Sequence, residues 1–345
     1  MGDIAKGVLG GAWALLVGWI APTALNLSVF FLTVVPTLQR LHLFGQVWPN
    51  GRVDISLTLL VSSVLIGLVL HALENSLYRI LEGYILWPAK LYSYGCKRHL
   101  QIKRDLRDRI DLLRLEHREQ AGTLNFDRRA QLVRLREDPR VARFSLRDRA
   151  RTAVQRAILQ EEFARYPVSD DQIAPTRLGN AIRRFEEYGY DRFRLDSQML
   201  WHELNGVAPE SVRRQVELCR TRVDFFVALF YGHGAVAGAV ALSLFDPYSH
   251  FALQVSLIAV LLALMPIWYW SAVKATDEWA AAVRALVNVG RKPLAEALGF
   301  NLPATLQAER SMWTLVSRVS RLPFHERASA LDRYRTQPPT SGGNA

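Results

Sequence analysis

SVRRQVELCRTRVDFFVALFYGHGAVAGAVALSLF, residues 211–245, decides the architecture. Its first third carries four Arg and one Glu. From Val223 onward Asp224 and His233 are its sole Asp, Glu, Lys, Arg or His residues. Pro209-Glu210-Ser211 is a helix start, and no proline follows before Asp246-Pro247. The segment therefore predicts one helix that leaves a charged domain and crosses a bilayer over roughly 222–245.

Working outward, residues 96–222 hold 28 Lys or Arg against 20 Asp or Glu, a net +8. Two pairs of membrane-length apolar segments flank them. Residues 7–35 and 55–73 come before; the end of the quoted segment and residues 251–270 come after. A soluble core scatters its apolar residues among polar ones, whereas these are gathered into blocks. The first block is too long for a cleavable signal core and too short for two crossings. One tilted span kinked at Pro22 fits it; a re-entrant hairpin at Ala21-Pro22-Thr23 is the alternative.

Charge sets the orientation. Residues 274–345 carry ten basic and six acidic residues, while Arg40 and Arg52 are the sole basic residues of the two opposite loops. By the positive-inside rule both termini are cytoplasmic. The fold expectation is all-α: an integral membrane protein with four transmembrane helices and a cytoplasmic helical domain. Residues 1–95 hold spans one and two plus an interfacial aromatic helix, in which Tyr78, Tyr84, Trp87, Tyr92 and Tyr94 form a belt. Residues 96–222 form the basic domain, 223–273 spans three and four, 274–337 C-terminal helices beginning at about 275, and 338–345 a disordered tail.

Within the basic domain Leu106, Ile110, Leu113 and His117 make an apolar stripe ended by Gly122 and Asn125. A second amphipathic helix is expected over 141–166, with Phe144, Ala153, Ala157, Ile158 and Phe163 on one side. The arginines read mostly as solvated faces with local carboxylate partners, such as Asp105 with Arg109 and Asp148 with Arg151. Cys96 and Cys219 lie on the reducing side, so no structural disulfide is expected, and no Cys/His group has zinc spacing.

Few residues carry candidate chemistry. His233, mid-span between Gly232 and Gly234, is either an intramembrane proton or ion group or a hydrogen bond between helices. Asp224, at the mouth of span three, reads as a partner of Arg220 or Arg222. Gly234 and Gly238 form a small-xxx-small step for helix packing. His71 and Glu74 end span two, while Asp277 and Glu278 follow span four; together they form a candidate inner-mouth cluster. His202-Glu203 lacks the second histidine of a zincin motif. P-loop, dinucleotide and nucleophile-elbow signatures are missing, so no catalytic, cofactor-binding or metal residue is assigned and no cofactor is expected.

Three stretches, LENSLYRILEGYILWP (73–88), PTRLGNAIRRFEEYGYDRFRLDSQMLWHEL (175–204) and EWAAAVRALVNVGRKPLAEALGFNLP with ERSMW (278–313), resemble segments of a group of bacterial polytopic membrane proteins to which no activity is assigned. The resemblance implies a multi-pass protein of the bacterial plasma membrane and transfers no site. The order of two spans, helical domain, two spans and tail is similar in layout to the bestrophin anion channels, without their acidic run. The expected function is non-enzymatic and homo-oligomeric, with the basic domain binding partners or anionic headgroups. The alternative is an oligomeric channel or transporter with that layout. A membrane-bound enzyme built on His71, Glu74 and Asp277 ranks third. Nucleic acid is not an expected partner, and the sequence leaves any small-molecule or ion ligand open.

Overall fold

The computed structural model describes residues 11–38, 52–150, 152–245, 250–323 and 326–335. Among them every regular element is helical, apart from one isolated bridge between Phe300 and Arg335. The chain is all-α. We number the main helices α1 (Gly11–Thr33), α2 (Arg52–Ala72), α3 (Glu74–Glu82), α4 (Ala89–Gln120), α5 (Phe126–Glu137), α6 (Pro139–Ala150) and α7 (Thr152–Ala164). After them come α8 (Arg177–Glu186), α9 (Tyr188–Phe193), α10 (Trp201–Val207), α11 (Glu210–Ser243), α12 (Phe251–Ala297) and α13 (Leu306–Arg321). Four of these, α1, α2, α11 and α12, are long and apolar enough to cross a membrane. Most of the loop at 37–54, the turn at 246–248 and the tail at 338–345 lie outside the described residues.

Two compact units result: Arg79–Tyr188, and Met1–Tyr78 with Gly189–Ala345. The second contains all four apolar helices. In it α11 and α12 run antiparallel, as the order of their contacts shows: Phe226 stacks on Trp268, His233 meets the same indole edge-on, and Val236 and Val240 bury against Leu261. Leu57, Leu60, Leu65 and Leu253 point outward, and lipid is the natural solvent for such a surface.

α1 is one continuous helix, so the hairpin at Ala21-Pro22-Thr23 does not form. Pro22 has no N–H to donate and its ring crowds the preceding turn, so the helix widens into a π turn at Leu16–Ile20. Thr23 Oγ1 then donates to Trp19 O (2.6 Å), and Asn26 Nδ2 to Pro22 O (2.8 Å). α12 corrects the expected division into a span ending at Trp270 and a separate helix from about 275. It is a single helix of 47 residues. Residues 271–277 contain neither glycine nor proline, so nothing stops it there.

In the unit Arg79–Tyr188, α4 is the spine. Its buried line is His99, Lys103, Leu106, Arg109, Leu113 and Glu116, whereas His117 is exposed. The apolar stripe expected from spacing is thus half ionic. Arg109 and Asp148 form a buried bidentate pair with two 2.8 Å bonds, so the partner of Arg109 is 39 positions away rather than Asp105. Asp105 instead lies within 3.5 Å of Arg140 and Arg143, and Arg149 reaches Glu116. Lys103 Nζ donates to Val168 O (2.9 Å) and Asp170 (2.7 Å). The helix expected over 141–166 is represented by α6 and α7; Arg151, between them, lies outside the described residues. Leu159 is buried in the core beside Leu106 and Leu113, while Ile158 is exposed.

α8 docks on the spine through glycines. Thr176 caps it, its Oγ1 accepting from Gly179 N (3.0 Å). Asn180 accepts from Ala174 N and donates to the carbonyls of Ala174 and Thr176. A side chain at Gly83 or Gly95 would collide with Pro175, and one at Gly179 would sit 2.6 Å from Glu82 O. Gly83 also has φ +96°, a conformation that favours glycine.

Candidate functional site

The densest polar grouping beside the apolar helices gathers the end of α2, helix α3, the π turn of α1, and the helices α11 and α12. Tyr78 is buried, not part of an interfacial belt, and its hydroxyl donates to Asp224 Oδ1 (2.7 Å). Burial, with the Asp224 carboxylate beside it, pushes the Tyr78 phenol well above its ordinary range, so it stays protonated as the donor. Asp224 is therefore bonded to a phenol and not, as expected, to Arg220 or Arg222. The arginines go elsewhere: Arg220 pairs with Glu74 and Arg222 with Glu278. Glu74 also reaches His71 Nδ1 (3.1 Å), and the His71 ring lies 6.2 Å from that of Trp19. Trp279 completes the group, edge-on to Tyr78 and under the Arg220 guanidinium.

Local sequence explains this convergence. The π turn carries Gly18 so near α11 that a Cβ there would lie 3.2 Å from Asp224 Cβ, tighter than ordinary packing. Asp224 and Tyr231 lie two turns apart on α11, and Tyr231 donates to Leu77 O (2.9 Å). Two hydrogen bonds thus pin the first turn of α3 to α11. Among the expected cluster the structure joins His71 with Glu74 and places Arg220 on them. Glu278 stands apart on its own exposed pair with Arg222, and Asp277 is half-buried on α12. Among the described residues no three His, Cys, Asp or Glu side chains converge in a way that would hold a metal ion.

His233 is buried. Its Nδ1 lies 2.9 Å from Leu229 O one turn earlier, so the ring is held by its own helix. Gly234 approaches only the flexible end of Met265, and Gly238 faces open space within the chain. The close helix approach is at Gly232, where a side chain would collide with Asn26. The sequence signal for it was the pairing of a lone Asn in span one with an extra glycine beside the expected pair.

A second grouping lies in the unit Arg79–Tyr188. Arg183 donates to the Tyr84 hydroxyl and to Gln172 Oε1. Burial pushes the Glu186 carboxyl up to about 7, with Glu82 adding to the shift and Arg183 opposing it. His99 is held down at about 4, by burial first and then by Arg177 and Arg98, and its Nδ1 lies 3.1 Å from the Tyr166 hydroxyl.

No family model, curated protein or solved structure matches this chain.

Proposed function

We propose that the chain is a non-enzymatic, homo-oligomeric protein of the bacterial plasma membrane, with four spans and cytoplasmic termini. In this reading the basic helical region presents cations to partners or anionic headgroups. The observation that carries it is how the cations are divided. Lys103 and Arg109 are consumed in the interior, while Arg104, Arg107, Arg114, Arg128 and Arg129 stand exposed on the outer faces of α4 and α5. Outward cations in a chain that also has four apolar helices suit an anionic leaflet, each contributing about 1 kcal/mol near the surface. The test is sedimentation of the compact unit Arg79–Tyr188 with vesicles, alongside native mass spectrometry of the full chain. Binding that rises with phosphatidylglycerol content and falls with salt supports the reading. Equal binding to neutral vesicles removes it.

A second reading, an oligomeric channel or transporter with a bestrophin-like layout, is favoured by the polar junction of His71, Glu74, Arg220, Tyr78 and Asp224 at the ends of the apolar helices. Planar-bilayer conductance separates the two. The first reading expects silence; current altered by Asp224→Asn or His233→Ala would replace it.

A further inference from the structure

Between α3 and α4 the chain forms a short loop whose construction is unusual. Gly83 closes α3 with φ +96°, and Tyr84 N donates to Arg79 O (2.8 Å). Trp87 turns its indole inward, donating to Ile80 O (2.8 Å), while Arg183 holds the Tyr84 hydroxyl. On this fixed frame Leu86 takes φ +62°, rare for a branched side chain, and is 80 % exposed. Ile85 is exposed beside it. Strain that turns leucine into solvent points to a function away from the fold itself.

The face continues along α4. Lys90, Leu91, Tyr94, Lys97, Arg98, Gln101 and Arg104 are all exposed, and their spacing sets them on one side of the helix. Residues 83–104 contain no Asp or Glu. The apolar members come first and the cations after. Leu86 follows Ala72, the last residue of the second apolar helix, by fourteen positions.

We propose that this face is an interfacial anchor: Leu86 and Ile85 enter the acyl boundary of the bilayer, and Lys90, Lys97, Arg98 and Arg104 engage anionic headgroups. Apolar side chains backed by cations are the chemistry of a surface-lying amphipathic element. The occupant is a lipid leaflet and not a folded partner, because no acid interrupts residues 83–104 in the sequence and, in the proposed reading, the loop follows span two by a short covalent connection. This deepens the reading of a membrane protein and rests on it.

The test uses the full chain reconstituted in phosphatidylcholine vesicles, with or without phosphatidylglycerol. An environment-sensitive fluorophore is attached at Leu86→Cys in a background where Cys96 and Cys219 are serine, and quenching by brominated lipid is read. Leu65→Cys, on the exposed side of α2, is the membrane reference, and Leu306→Cys, at the start of α13, the solvent reference. The expected result is quenching at both Leu86 and Leu65 and none at Leu306. In anionic vesicles, Lys97→Gln with Arg98→Gln should lower the docked-to-undocked ratio, by about fivefold per charge at most. Quenching at Leu65 but not Leu86 overturns the anchor while leaving the membrane reading intact. Quenching at neither overturns the membrane reading itself. A Leu86 probe shielded without lipid quenching, to a degree that rises with protein density, assigns the face to a second copy and also overturns the proposal.

Discussion

Single side chains carry opposed pH responses in the unit Arg79–Tyr188. Glu186 has its carboxyl raised from 4.5 to about 7 in the folded chain. The folded state holds that proton longer than the unfolded one, so its contribution to stability declines as pH rises from 4.5 through 7. His99 is lowered from 6.5 to about 4, so its contribution is present above 6.5 and is lost as pH falls toward 4. The two slopes oppose each other across the shared window and should leave the unit nearly level there. Amide exchange of α4 and α8, followed against pH, checks this. Glu186→Gln should leave stability rising with pH between 4 and 6.5, and His99→Asn should leave it falling between 4.5 and 7. Asp148→Ala should cost about 3–5 kcal/mol, because it strands the buried Arg109 guanidinium, and loss of exchange protection in α4 would report it. Tyr78→Phe removes the donor to a buried acid and should cost about 1–3 kcal/mol, whereas Asp224→Asn keeps an acceptor and should cost less. Thermal unfolding of the two variants in detergent ranks them.

At the scale of elements, helix approach is governed by glycines facing other helices. Gly232→Ala should displace Asn26 and break its bond to Pro22 O, costing about 1–3 kcal/mol. Adding Asn26→Ala should recover part of that loss, and a double-mutant cycle on thermal midpoints reads the coupling. Gly83→Ala should do worse, since it meets both Pro175 and a positive φ. The four apolar helices were legible in the sequence because a run of uncharged residues is a local property. α11 was legible for the same reason, down to its start after Pro209. The length of α12 was missed: a change of composition at Trp270 reads as an end, yet a helix needs a breaker to stop and 271–277 supply none. α5 had no separate signal in a uniformly charged stretch.

For the molecule as a whole, charge was a good guide to amount and a poor guide to use. Net positive charge over 96–222 is a sum, and a sum does not say that Arg109, Lys103 and Glu116 lie in the interior while Arg104 lies outside. Spacing rules favour partners one turn away, but Arg109 meets Asp148 and Tyr78 meets Asp224 only because the fold returns distant segments to each other. The candidate junction was half readable: His71, Glu74 and Asp224 were visible as ionisable residues at the ends of the apolar segments, whereas Tyr78 looked like an interfacial aromatic and Trp279 carried no signal. The unbroken α12 has a mechanical consequence. At 1.5 Å per residue it is about 70 Å long, so if it crosses a bilayer core of about 30 Å, as proposed, more than half of it extends outside. Near the distal end Gly290 packs on Leu204 and Arg291 pairs with Glu309, so the C-terminal helices ride on a mast. A tilt of about 10° at its foot would sweep that end through about 7 Å, turning a change in bilayer thickness into a displacement of α13.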